Sequence, residues 1–149
     1  EGVSPSASPV ESSPAPQPAA TTLLGPHASE RPDGSITTAL SGTVLFERDS
    51  AVLRPKARDT IGDLAASLSR AQGGTLELVG YTDNLGSAAR GRELSEQRAV
   101  AVAAIFRERL DGSGIKVSAT GRGEADPVAP NDTEANRAKN RRVEVIYTP

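Results

Sequence analysis

Two periodicities alternate along this chain, and their order limits the folds open to it more than any single residue does. Leu40, Gly42, Val44 and Phe46 in residues 36–46, Leu76, Leu78 and Gly80 in 75–81, and Val143, Val145 and Tyr147 in 142–148 recur at every second position, the spacing of a strand with one buried face. Residues 115–120 read as another short strand. Between them, Pro55 opens a helical stretch with Ile61, Leu64, Ala65 and Leu68 at helical spacing, closed by Gly73-Gly74. A second, long helical segment runs to Leu110 and ends in the turn Asp111-Gly112-Ser113-Gly114; residues 121–132 are a loop and 133–140 a short helix. The order strand, helix, strand, helix, strand, short helix, strand predicts an α+β fold, a mixed four-stranded sheet with helices packed on one face.

Composition sets the expected boundary. Residues 1–30 contain no Lys or Arg and are dominated by Ser, Pro and Ala, too little apolar surface to offset the entropy of ordering a chain. Residues 1–35 are therefore expected to form a disordered Pro/Ser/Ala-rich linker, and 36–149 a single domain. The chain begins with Glu1 and holds no Met, so it is expected to start after a processing or cloning boundary. No stretch approaches a transmembrane helix in length; attachment to a membrane is expected only through an N-terminal anchor outside this sequence.

What is missing narrows the chemistry. A net charge of −2 supplies no field to draw the molecule onto nucleic acid, and two Phe and two Tyr offer no platform for stacking bases or sugars. Without Cys, and with a single His at position 27, disulfides, thiol catalysis, a structural zinc site and a Ser-His-Asp triad all fall away. There is no phosphate loop and no dinucleotide fingerprint. Asp83, Glu124 and Asp126 could supply paired acids, but nothing in their spacing singles them out. The chain reads as a binder, not an enzyme, with no cofactor and no metal.

Three charges stand out by position. Arg98 falls within the apolar stripe of Leu94, Val102, Ile105 and Phe106. Its guanidinium either snorkels to solvent or pairs with a structural carboxylate, or it awaits a carboxylate ligand. Asp83 follows a strand and shortly precedes a helix, a place for a helix cap or an Asx-turn and equally for an ammonium acceptor. In Asn140-Arg141-Arg142 the adjacent arginines must point to opposite sides of the final strand, so only one can share a cleft with Asp83. The pair is either a solvated basic edge that discourages strand pairing or a planar carboxylate clamp. One acid and two arginines at the edges of regular elements suit a small zwitterion.

Five blocks then recur in order: Val44-Leu45-Phe46 to Ser50-Ala51-Val52-Leu53; Gly80-Tyr81-Thr82-Asp83-Asn84-Leu85-Gly86-Ser87; Leu94-Ser95 with Arg98-Ala99 and Val102; Gly121, Gly123-Glu124 and Pro127; and Asn131, Thr133, Arg137 and Asn140-Arg141-Arg142-Val143-Glu144. Together they resemble the OmpA-like C-terminal, peptidoglycan-associating domain family over about residues 38–148. The resemblance implies non-covalent binding of peptidoglycan through the diaminopimelate residue of the peptide stem, anchoring an envelope protein to the bacterial cell wall in the periplasm or wall, without catalysis. It places the ammonium acceptor on Asp83 and the carboxylate-binding arginines on Arg98 and Arg141, with Thr82, Asn84, Asn131 and Asn140 fixing the loops. The family usually has His where this chain has Tyr81, and Asn where it has Gly91. The rival expectation is a protein-interaction or dimerisation module on the same fold, its partner an envelope protein or a second copy of the chain.

Overall fold

The structure, a computed structural model, describes residues 23–149 apart from Pro26. Five strands, β1 (Ser29–Glu30), β2 (Ile36–Ser41), β3 (Thr75–Tyr81), β4 (Lys116–Gly121) and β5 (Arg142–Thr148), form one sheet in the order β1-β2-β5-β3-β4. All neighbours are antiparallel except β3 and β4, which run parallel. A parallel pair needs a long crossover, supplied by helix α3 (Ala88–Arg109). The other helices are α1 (Gly42–Leu45), α2 (Pro55–Leu68) and α4 (Glu134–Asn140).

The architecture is the expected mixed sheet with helices against it, but it has five strands, not four. The added strand β1 also corrects the expected boundary at residue 35. Leu24 is 2% exposed and Ala28 0%, both within the main core, and Ser29 and Glu30 pair with Thr37 and Ile36. A few apolar residues in a Pro- and Ser-rich stretch are enough to be recruited when a sheet edge and a core lie ready beside them. The rest of the expected linker, residues 1–22 and Pro26, lies outside the described residues.

A second correction concerns residues 36–46, which are not one strand. β2 ends at Ser41, opposite Arg142, where β5 begins. With no partner beyond that point, Gly42 N donates to the Arg141 carbonyl at 2.7 Å and the chain turns into α1. Val44 is consequently exposed, while Leu45 and Phe46 are buried.

One face of the sheet carries Leu76, Leu78, Val143, Val145 and Tyr147 into a core with Ile61, Ala65 and Leu68 of α2 and Ala99, Val102, Ala103 and Phe106 of α3. Aliphatic side chains and alanines dominate it, so α3 can lie very close to the strands. A Cβ on Gly80 would stand 2.1 Å from the Ser95 carbonyl oxygen, and one on Gly121 would stand 2.3 Å from Glu96 N. These contacts hold the start of α3 against the C-terminal ends of β3 and β4, where the charged loops emerge.

Candidate functional site

The β3–α3 loop begins with Thr82 and Asp83 and is fastened on both sides. Thr82 N donates to the Gly123 carbonyl at 2.8 Å, and Gly123 N donates to Ser95 Oγ at 2.9 Å. Asp83 Oδ1 accepts from Leu85 N at 3.0 Å, an Asx-turn, while the cap of α3 is Ser87, whose Oγ accepts from Arg90 N at 3.1 Å. Asp83 is thus a turn-former and not the helix cap. Its Oδ2 accepts from Arg141 Nη1 at 2.6 Å.

Arg98 reaches the same region from α3. The residue is 5% exposed; its Nε donates to the Ser50 carbonyl at 2.8 Å, and its guanidinium carbon lies 5.2 Å from the Phe46 ring centroid. It makes no ion pair among the described residues. Burial lowers its pKa from the ordinary arginine value, and the fields of Asp49 and Asp83 offset that only in part. A cation held in place by a carbonyl and a ring, with no acid of its own, is neither the snorkelling nor the ion-paired arrangement open to it from the sequence.

Arg141 and Arg142 diverge, Arg141 as the extended C-cap of α4 and Arg142 as the first residue of β5. Arg142 stacks 3.8 Å from the Tyr81 ring centroid, and donates to Glu144 Oε2 at 2.9 Å and to the Asp126 carbonyl at 3.0 Å. It is a structural arginine, and Tyr81 serves it outside the cleft. Arg141 instead bridges Asp83 and Glu134. Burial opposes its charge, but the hydrogen bonds to Glu134 and Asp83 outweigh burial and raise its pKa. The bond to Arg141 likewise holds the Glu134 carboxyl below its ordinary value.

These groups line one cleft of about 900 Å³. Asp83, Arg98, Arg141 and Thr82 all border it, with Gly91 and Leu94 of α3 and Thr43 and Phe46 on the facing side. Its charged lining mixes Arg48, Arg54, Arg90, Arg98 and Arg141 with Glu47, Asp49, Asp83 and Glu134. Such alternation of sign suits a ligand that carries both charges better than a polyanion. At Gly91 a Cβ would stand 2.9 Å from Thr82 Oγ1, a buried hydroxyl without a hydrogen-bond partner among the described residues.

The supporting asparagines divide. Asn140 is buried; its Oδ1 accepts from Val128 N at 2.7 Å and Ala129 N at 3.1 Å, and its Nδ2 donates to the Ala129 carbonyl and to Asn131 Oδ1. Asn140 and Asn131 therefore fix the loop before α4. Asn84 is exposed and does not border the cleft, so it is not brought to the site. Sequence reasoning assigned no role at the cleft to Phe46, Ser50, Asp49 or Glu134: Phe46 and Ser50 meet Arg98 from about fifty positions away in the chain, whereas Glu134 meets Arg141 only seven positions on, a spacing that does not by itself mark a site. No group of three or more metal-ligating side chains lies together among the described residues, and no helix among them is long and apolar enough to cross a membrane.

The sequence and the overall fold match a known family. Residues 45–141 match the OmpA family, and the chain belongs to it. It is 40% identical over 108 residues to the outer-membrane lipoprotein YfiB of Pseudomonas aeruginosa, covering 72% of this chain and 63% of YfiB. It is 35% identical over 112 residues to the peptidoglycan-binding protein ArfA of Mycobacterium tuberculosis, covering 75% of this chain and 34% of ArfA. The solved cell wall anchor of the T6SS from Pseudomonas aeruginosa superposes with a TM-score of 0.69 at 26% identity, over 81% of this chain and 87% of that one. The chain spans between 31% and 63% of the length of the first three curated relatives it matches. Relatives that are outer-membrane lipoproteins and porins mark it as an extracytoplasmic, envelope-associated domain, and the family is non-catalytic.

Proposed function

We propose that this domain binds peptidoglycan non-covalently through the diaminopimelate residue of the peptide stem and so tethers an envelope protein to the cell wall. Asp83 accepts hydrogen bonds from the ligand's ammonium; Arg98 and Arg141 hold its carboxylates. Asn131 and Asn140 keep the neighbouring loop in place. The observation that carries this reading is Arg98, a buried guanidinium without an ion-pair partner among the described residues, opening into the cleft that Asp83 and Arg141 also border. A buried cation is stabilised by an acid, and a ligand carboxylate supplies one.

Charge-assisted hydrogen bonds contribute roughly 1.5–3 kcal/mol each before ordering and desolvation are subtracted, so a single site binds modestly. Many copies facing one polymer gain by avidity. Calorimetric titration with meso-diaminopimelate and with a stem peptide tests the reading. Saturable binding that is abolished by Arg98→Ala and by Asp83→Ala, in variants that remain folded, is the expected result. Wild-type retention of both variants on purified sacculi would overturn the assignment.

A further inference from the structure

Arg141 is already engaged by the protein's own acids. Its Nη1 donates to Asp83 Oδ2 at 2.6 Å and its Nη2 to Glu134 Oε2 at 2.5 Å. One N–H of each terminal nitrogen is therefore already given to an acid, which narrows the forked face open to an incoming carboxylate.

The two acids are held very differently. Asp83 is buried and tied to the backbone through Leu85 N. The Glu134 side chain is 66% exposed. Apart from Arg141, its charged neighbour is Arg137, whose Nε forms a looser ion pair with Oε1 at 3.5 Å. One acid is part of the frame, and the other stands at the rim on a flexible stem.

We propose that Glu134 is a built-in competitor that sets the affinity of this cleft. Its carboxylate occupies the place on Arg141 that a ligand carboxylate takes, and it swings into solvent when the ligand binds. This inference rests on the reading of Arg141 as a ligand-binding residue. The exchange is like for like: one carboxylate replaces another on Nη2, Asp83 keeps Nη1, and the guanidinium is never left without a partner. Apparent affinity falls by the fraction of molecules in which Glu134 has moved away. An exposed pair of this kind holds its arrangement by roughly fivefold at most, enough to tune binding and too little to close the site.

The test is calorimetric titration of the 149-residue chain with meso-diaminopimelate, comparing wild type, Glu134→Gln and Glu134→Asp, with a thermal melt of each. Glu134→Gln removes the competing charge and is expected to bind roughly two- to fivefold tighter. Glu134→Asp keeps the charge on a stem one methylene shorter and is expected to bind tighter as well. Unchanged or weaker binding by Glu134→Gln overturns the proposal, as does tighter binding by Glu134→Gln alone, which would mark an effect of net charge and not of occupancy. If none of the three folded proteins binds, the ligand reading of the cleft itself falls, and the competitor falls with it.

Discussion

Gly80 of β3 passes so close beneath Ser95 of α3 that a Cβ on Gly80 would stand 2.1 Å from the Ser95 carbonyl oxygen. Three residues beyond Gly80 is Asp83, and three beyond Ser95 is Arg98. The contact between a backbone and a backbone therefore governs the separation of two opposite charges in the cleft.

Gly80→Ala follows from that contact. Neither partner is a side-chain end that can move aside, so the substitution forces α3 off the sheet. It is expected to cost about 3 kcal/mol or more, seen as a lower denaturant midpoint in urea unfolding. A change below about 0.5 kcal/mol would show that the helix seats less tightly than described.

Asn140→Ala leaves the Val128 and Ala129 amides without their acceptor and Asn131 Oδ1 without its donor. Buried groups deprived of a partner cost about 1–3 kcal/mol each and do not add fully. A loss of about 3 kcal/mol is expected, with faster proteolytic cleavage between β4 and α4 than in wild type. Wild-type protease resistance would contradict the loop-fixing role.

Arg98→Lys keeps the charge and removes the planar fork. Lysine cannot donate to the Ser50 carbonyl, lie over Phe46 and grip a carboxylate together. Affinity for meso-diaminopimelate is expected to fall at least about tenfold, corresponding to roughly 1.4 kcal/mol, while the fold loses about 1 kcal/mol. Full binding by the lysine variant would reduce Arg98 to a point charge.

Tyr81 gives a pH dependence of known sign. Burial, and then the charge of Glu144, raises its pKa above the ordinary 10.0. The unfolded chain therefore ionises first, so this contribution to stability is complete below pH 10.0 and is lost as pH rises through the folded value. Tyr147, raised by burial, acts in the same direction. Tyr81→Phe keeps a ring beneath Arg142 and removes the ionisable hydroxyl; its melting temperature should fall less steeply than that of wild type between about pH 9 and about pH 11. Parallel curves would exclude Tyr81 as a source of the slope.

Much of this arrangement was legible because it depends on local pattern. The final strand emerges at residues 142–148, where the alternation of Val143, Val145 and Tyr147 is cleanest, and Pro55 opens α2 at its first position. The divergence of Arg141 and Arg142 was also expected, although Arg141 proves to be the C-cap of α4 and only Arg142 belongs to β5. What escaped depends on neighbours distant in sequence. Gly42, Val44 and Phe46 continue the period of a strand, but β5 offers no partner past Arg142. Leu24 and Ala28 are buried because a sheet edge and core are there to receive them. Phe46 meets Arg98 from 52 positions away in the chain. Glu134 is the exception, seven positions from Arg141, but nothing in the short helix told its charge apart from its neighbours'.

The place of β5 ties the integrity of the sheet to that of the cleft. β2 and β3 never pair with each other; each pairs with β5, which is the last of the five strands in sequence. Without β5 the sheet falls into two parts, β1-β2 and β3-β4, with no seam between them, and Arg141, which directly precedes β5, is not held beside Asp83. A chain stopped at Asn140 lacks both the keystone of the sheet and one pole of its cleft, so the fold and the cleft depend on the same strand.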